Sequence, residues 1–232
     1  MRAIITSLVL LLPVLGHAQN SRPVRCRFLS FGGTGDPPPA IAISDKGTET
    51  TCPLSSIKLS AEIMCFAKAN AIDFLSSADR KPMATATIPA GVGAALLIFV
   101  QAPKTPEATA PPTWRVLVIE DSPKNFPDGG AFIANFYNKD IRFVIGEHTG
   151  MLHAAGSHGY EKPKELDSFN MAPVTFEFLQ ENKWHIANES ALRFLTGMRY
   201  LIFAFVDPVS GRPRINTYQD LVRPAAPAKA SP

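Results

Sequence analysis

The amino-acid sequence predicts an all-β protein made of tandem immunoglobulin-like β-sandwiches, with at most short helices. Apolar and polar side chains alternate along much of the chain, and turn residues interrupt the alternation, as expected for half-buried strands. In one such run Val174, Phe176 and Phe178 share a face, and residues 181–183 then turn the chain. A weak internal repeat of about a hundred residues, the size of one immunoglobulin-like sandwich, predicts two such units.

Two pairs of segments carry this repeat and suggest an internal duplication. Residues 91–100, GVGAALLIFV, match residues 197–206, GMRYLIFAFV, at a displacement of 106 residues. Upstream, RFLSF at 27–31 resembles FIANF at 132–136 at a displacement of 105 residues. Because buried β-hairpins of any origin share glycine and aliphatic patterns, one large sandwich is the alternative to two modules.

Shorter segments predict further strands in chain order. Residues 40–52 indicate a hairpin in which Gly47 takes the positive φ angle of the turn. Residues 83–91 alternate alanine and threonine, which places Ala84, Ala86 and Ile88 inward. Further strands are predicted at 113–121 and 140–148, whereas 55–69 and 188–197 fit either a short helix or a strand.

The N-terminal residues have the composition of a secretory signal peptide. Arg2 provides a positive start, residues 4–15 an apolar core, and Gly16-His17-Ala18 a small-x-small cleavage pattern, so cleavage is expected after Ala18. The apolar run is too short to cross roughly 30 Å of hydrocarbon, and Pro13 interrupts it. The sequence therefore predicts a secreted or periplasmic protein without a transmembrane anchor.

The predicted organisation follows from these signals. After a signal peptide at 1–18, a first sandwich covers 19–122 and includes a proline-rich loop at 101–113. A second sandwich covers 130–222. Residues 223–232 show no apolar periodicity and are predicted to be a disordered tail.

Composition argues against several classes of function. The formal net charge of +3 falls to +2 when Arg2 leaves with the signal peptide, and basic and acidic residues are interspersed. Without a basic block, nucleic acid is not an expected partner. The glycines of residues 31–36 precede prolines and not a helix, and no nucleophile elbow occurs, so neither catalytic residues nor a cofactor are expected.

Three cysteines, Cys26, Cys52 and Cys65, remain in the exported chain. An oxidising compartment would allow one disulfide, with three possible pairings and one thiol left over. A bond between Cys52 and Cys65 would close a short loop and contribute roughly 3 kcal/mol. Cys26 also alternates with Val24 and Phe28, as a small buried apolar residue would, so thiols and a disulfide both fit.

The segment 147–158 contains three of the five histidines, His148, His153 and His158, with Glu147 beside the first. Imidazole and carboxylate are common metal ligands, so these four residues are candidates for a metal site. Ligands on one helix face lie three or four residues apart and on one strand two apart, but these histidines lie five apart. The spacing favours solvated loop histidines, and no metal is predicted.

A longer segment, residues 84–150, resembles exported bacterial β-sandwich proteins that have no assigned activity. In that pattern a hairpin leads through FPxGxxxxxN into the next module, and the matching residues here are Phe126, Pro127, Gly129 and Asn135. The resemblance implies an envelope or secreted protein and brings no catalytic residues. The format of a signal peptide and two sandwiches is also similar to periplasmic pilus chaperones, although no motif carries that family's basic anchoring residues.

These expectations combine into one functional hypothesis. The chain is predicted to be a non-catalytic exported protein that binds or scaffolds another protein or envelope component through exposed sheet edges or loops. A metal-binding module that uses the histidines of 147–158 is the alternative.

Overall fold

The computed structural model describes residues 21–33, 35–44, 47–102 and 114–221, which form sixteen strands and no helix. The predicted signal peptide, most of the proline-rich loop and the tail 223–232 lie outside the described residues. The first eight strands are β1 Arg22–Phe31, β2 Ala40–Ile43, β3 Glu49–Cys52, β4 Ile63–Ala67, β5 Ala71–Ser76, β6 Pro82–Thr87, β7 Ala94–Gln101 and β8 Trp114–Glu120. The second eight are β9 Ala131–Asn135, β10 Ile141–Ile145, β11 His148–Leu152, β12 Ser157–Tyr160, β13 Met171–Gln180, β14 Lys183–Arg193, β15 Met198–Val206 and β16 Pro213–Leu221.

The strands form four sheets in two modules of identical topology. Module 1 consists of an inner sheet, β4-β1-β7-β8, and an outer sheet, β3-β2-β5-β6. Module 2 repeats both orders, with an inner sheet β12-β9-β15-β16 and an outer sheet β11-β10-β13-β14. In each inner sheet the first strand of the module runs parallel to the seventh, and the other pairs are antiparallel. The prediction of an all-β, tandem β-sandwich fold is confirmed.

Three hydrophobic cores alternate with the four sheets. One core fills module 1 between its two sheets and a second fills module 2. A third core lies between the two inner sheets, so the layers run outer, inner, inner, outer. Its fully or nearly buried members are Leu29, Phe31, Leu96, Ile98, Ile119, Phe126, Phe132, Ala134, Leu201, Phe203 and Tyr218.

The third core explains why two strands, β7 and β15, are apolar along most of their length. In β7, Leu97 and Phe99 point into module 1, whereas Leu96 and Ile98 point towards module 2. A strand that is buried on both faces has no polar side to alternate with, so it appears as a continuous apolar run. The inner sheets are therefore covered on both faces, and the outer sheets expose one face each.

The structure corrects by one residue the repeat displacement of the first segment pair, 91–100 with 197–206. Cys26 lies opposite Ala95 in module 1, and Ala131 lies opposite Tyr200 in module 2. All four side chains point into the core of their own module, so both strands repeat at a displacement of 105 residues. The displacement of 106 that the letters suggest for β7 and β15 would exchange their two faces, because side chains alternate with a period of two.

Both segments whose structure was ambiguous contain strands. Residues 63–67 form β4, which pairs with β1, and residues 188–193 form the end of β14, which pairs with β13. The partial 3.6-residue periodicity is overridden because these segments complete the edges of sheets. The predicted turns are confirmed: Gly47 has a φ angle of 71°, and Glu181 and Asn182 have φ angles of 47° and 61°.

The FPxGxxxxxN residues build the junction between the modules. Phe126 is fully buried in the third core, and Gly129 adopts a φ angle of 72° that favours glycine. The buried Asn135 amide donates to the carbonyl oxygens of Lys139, Leu152 and His153 at 2.9–3.1 Å. Phe126, Gly129 and Asn135 of the FPxGxxxxxN pattern therefore each have a structural role at the junction.

A buried ion cluster also joins the modules at this junction. Asp220 accepts hydrogen bonds at 2.6 Å from both Arg27 of module 1 and Arg199 of module 2. Arg199 donates to Asp121 at 2.8 Å, and its guanidinium carbon lies 4.0 Å from the centre of the Phe126 ring. Two cations and two anions therefore neutralise one another between the modules.

Candidate functional site

The histidines of segment 147–158 lie on two strands and a turn. His148 begins β11 and His158 belongs to β12, so the expectation that His158 sits in a loop is wrong. The Nε2 atom of His148 lies 3.0 Å from the carbonyl oxygen of Glu161. The Glu147 carboxylate accepts a hydrogen bond from the backbone N–H of Lys164 at 2.8 Å, and this bond lowers the pKa of Glu147.

The other two histidines have separate partners. His153 is exposed, and its Nδ1 atom lies 3.1 Å from a carboxylate oxygen of Asp140. The ring of His158 contacts Tyr160 with 4.8 Å between centroids, and His148 approaches the same ring at 5.7 Å. Burial raises the pKa of Tyr160, so its hydroxyl is neutral at physiological pH. His148 and His158 thus share the Tyr160 ring, whereas His153 pairs with Asp140.

The described residues contain no group of three His, Cys, Asp or Glu side chains that could hold a metal ion. We therefore expect a variant with His148, His153 and His158 all replaced by alanine to bind zinc or copper no more weakly than the wild type. Calorimetric titration of the two folded proteins checks this, with circular dichroism as the control for folding. Wild-type affinity more than about tenfold higher, a difference of 1.4 kcal/mol, would contradict it.

A cleft of about 320 Å³ lies between β8, the junction segment and β12. Glu120, Asn125, Ser157 and His158 are among the residues that line it, and the Asn125 amide donates to Glu120 at 2.6 Å. Ser157 and His158 are neighbours on one strand, so their side chains point to opposite faces. This arrangement does not pair a hydroxyl with an imidazole as a nucleophile and its base would require.

A second concavity, of about 500 Å³, lies on the exposed face of the outer sheet of module 2. We call this face the outer groove. It forms because alternate residues of β10, β11 and β13 point away from the core of module 2. Its outward side chains are Arg142, Val144, Thr149, Met151, Thr175 and Glu177.

Two apolar side chains are exposed on this face and beside it. Met151 is 47% exposed, and Ile186 of β14 is 61% exposed directly opposite Glu177. The Arg142 guanidinium carbon lies over the Trp184 ring, 4.1 Å from its centre, as in a cation–π contact. The face thus combines accessible apolar surface, including a methionine, with an arginine and a tryptophan, three residue types that are enriched at protein-binding surfaces.

The outer groove lies next to an available sheet edge. Among the described strands, β11 has β10 as its only neighbour. Most of β11 is exposed, including Thr149 and Gly150. An edge strand presents unpaired backbone N–H and C=O groups that can pair with an extended segment of another chain.

Comparisons with protein-family models and with curated proteins find no match to this chain. Within the described ranges no helix has the length and apolar character needed to cross a membrane.

The outer groove was not among the sequence-predicted sites. Alternation in β10 and β13 indicates that Arg142 and Glu177 point outward, but it does not indicate which outward faces another element covers. Strands β7 and β15 illustrate the difference, because the face that points away from their own module's core is covered by the other module. Exposure of Met151 and Ile186 is therefore a property of the assembled layers.

Proposed function

We propose that this chain is an exported, non-catalytic binding or scaffolding protein of the cell envelope and that the outer groove is its binding surface. The partner is a protein segment that lies along the groove and edge strand β11. Signal-peptide-like residues 1–18 support export, and the absence of a recognisable catalytic motif in the sequence supports a binding role.

The observation that carries this proposal is the exposure of Met151 and Ile186 beside the stacked Arg142 and Trp184. Both faces of each inner sheet are buried when the modules pack, so the outer sheets and the sheet edges are left for contact with other molecules. Aromatic, methionine and arginine side chains are enriched at interfaces, and a few of them carry most of the binding energy. The outer groove gathers all three kinds.

The test compares variants against one partner. The chain from residue 19 is immobilised, a protein that it captures from an envelope extract is purified, and its Kd is measured. We expect the double substitution Met151→Ser and Ile186→Ser to raise this Kd at least about tenfold, because removal of interface anchors costs more than about 1 kcal/mol each.

The matched control is Ile43→Ser, which removes an exposed aliphatic side chain from the outer sheet of module 1. It should leave the Kd within about twofold of the wild-type value, because surface substitutions away from an interface have small effects. An unchanged Kd in the double variant, or an equal loss in the control, would count against the outer groove.

A further inference from the structure

The three cysteines of the chain meet in the core of module 1. Cys26 on β1 and Cys65 on β4 belong to the inner sheet, and Cys52 ends β3 in the facing outer sheet. All three are buried thiols, and all three belong to the same hydrophobic core. The Cys26 and Cys52 thiols donate to backbone carbonyls of their own strands, those of Val24 and Thr50, at 3.6 and 3.4 Å. Interaction with Cys65 raises the pKa of both thiols, so Cys65 lies close to each of them. Cys65 is therefore a shared neighbour.

The strand register distinguishes the two pairs that include Cys65. In the β1–β4 ladder Val24 lies opposite Cys65 and Cys26 lies opposite Ile63, so Cys26 and Cys65 are diagonal neighbours. Diagonal residues on adjacent antiparallel strands have Cα atoms roughly 7–8 Å apart. A disulfide requires a Cα separation below about 7 Å and is commonest near 5.5–6 Å, so the diagonal pair needs backbone movement.

The second pair joins opposite sheets. β3 and β4 are the edge strands on the same side of module 1, and they bring Cα atoms within 8 Å of each other although they belong to different sheets. Cys52 and Cys65 lie on these two facing strands and are both buried in the core between the sheets. A bond between them would join the two edge strands on this side of the sandwich, and inter-sheet disulfides are known from antibody domains, where they join interior strands.

We propose that the exported protein carries one disulfide, between Cys52 and Cys65, and that Cys26 stays a thiol. The bond rests on the proposed export, because an oxidising compartment supplies the disulfide-bearing oxidant.

The reaction is thiol–disulfide exchange while the chain folds and before the core closes. The Cys65 thiolate attacks one sulfur of the oxidant's disulfide, which forms a mixed disulfide and expels a thiolate. Cys52, as a thiolate, then attacks the Cys65 sulfur and expels the second thiolate of the oxidant. Two cysteine thiols are thereby oxidised, the oxidant is reduced to two thiols, and its leaving groups take up the two protons.

The third cysteine is protected from exchange once the protein has folded. Cys26 is fully buried among apolar side chains of module 1, and such an environment disfavours the thiolate form. A thiol that keeps its proton is a poor nucleophile, so Cys26 does not attack the neighbouring disulfide at neutral pH.

The test is a disulfide map of the wild-type chain from residue 19, refolded in a buffer of oxidised and reduced glutathione. Free thiols are alkylated under denaturing conditions, and peptides are mapped by mass spectrometry without reduction. We expect one alkylated cysteine, Cys26, and one cross-linked pair, Cys52 with Cys65. A bond that includes Cys26, or three alkylated cysteines, overturns the proposal.

Two variants give a second readout. The melting temperature of the oxidised wild type should exceed that of the reduced protein by roughly 5–10 °C, as expected for a short closed loop in a chain of this size. Cys26→Ala should keep this difference and Cys52→Ala should abolish it. Glutathione supplies the oxidant in vitro, so a bond that forms on refolding but is absent from the cellular protein supports the pairing and counts against export.

Discussion

Replacement of Asp220 by asparagine should lower the free energy of unfolding by about 3–5 kcal/mol, because it leaves Arg27 and Arg199 with Asp121 as the one carboxylate of the buried cluster. Asp220 is almost fully buried and binds Arg27 and Arg199 at 2.6 Å each. Asparagine keeps the shape and loses the charge, so the excess positive charge between the modules is the main change. Urea unfolding at pH 7, followed by circular dichroism, measures the loss.

The control for Asp220→Asn is Glu49→Gln, which removes the carboxylate from an exposed ion pair with Arg80. Exposed pairs contribute little because water screens them, so the unfolding midpoint should hardly move. If Asp220→Asn is as mild as Glu49→Gln, the buried cluster is not a major source of stability.

The same carboxylate predicts a dependence of stability on pH. Burial alone would raise the pKa of Asp220, but Arg27 and then Arg199 outweigh it and hold this pKa below its ordinary value. A carboxyl group whose pKa is lowered by folding stabilises the protein above its unfolded pKa, near 3.9, and loses this contribution as the pH falls through the folded pKa. The wild type should therefore lose more stability below pH about 4 than Asp220→Asn does.

Phe31→Ala should cost about 3–5 kcal/mol and should weaken the coupling of the two modules. Phe31 belongs to module 1, is 4% exposed, and inserts its ring among aromatic rings of module 2. Its centroid lies 4.9 Å from those of Phe203 and Phe205 and 5.3 Å from that of Phe136. Truncation leaves a cavity in the third core, so the free energy that joins the modules falls.

Differential scanning calorimetry measures this coupling. The wild type should unfold in one transition, and Phe31→Ala should broaden or split it as the modules begin to unfold separately. Phe66→Ala is the control, because it removes the same side chain from edge strand β4 of module 1, where Phe66 is 37% exposed. A single sharp transition in both variants, with equal midpoints, would show that the third core does not couple the modules.

Local pattern was sufficient for strands with one buried face. In β13, alternation predicts that Val174, Phe176 and Phe178 point inward, and all three are buried. The Gly47 turn followed for the same reason, since a tight hairpin requires a positive φ angle that glycine adopts without strain. These features depend on residues a few positions apart, so a short window contains the required information.

Where the sequence pattern fits both a helix and a strand, pairing with a neighbouring strand determines the secondary structure. Residues 55–69 fit a helix or a strand equally, and 63–67 became β4 because β1 offers an open edge there. Matching of identical residues also suggested that β15 repeats β7 after 106 residues, whereas the strand pairing in the two modules shows a repeat of 105 residues. A one-residue change is invisible in a uniformly apolar run but exchanges the two faces of a strand.

The outer groove could not be predicted from local sequence pattern either. Alternation placed Arg142 and Glu177 on an outward face, but the exposure of that face depends on which sheet the other module covers. The histidines at 148, 153 and 158 drew attention because they are close in sequence, yet the strands and turn that carry them give each its own partner.

Side-chain periodicity by itself determined that this chain is all-β, because a strand that packs on one side must alternate, and the internal repeat favoured two sandwiches over one. Contacts between distant residues decided the rest: the pairing of the inner sheets, the meeting of Arg27 with Asp220 across 193 positions, and the gathering of three cysteines in one core. Such contacts depend on how layers stack, and the energy that selects one stacking is spread over side chains that are far apart in the chain.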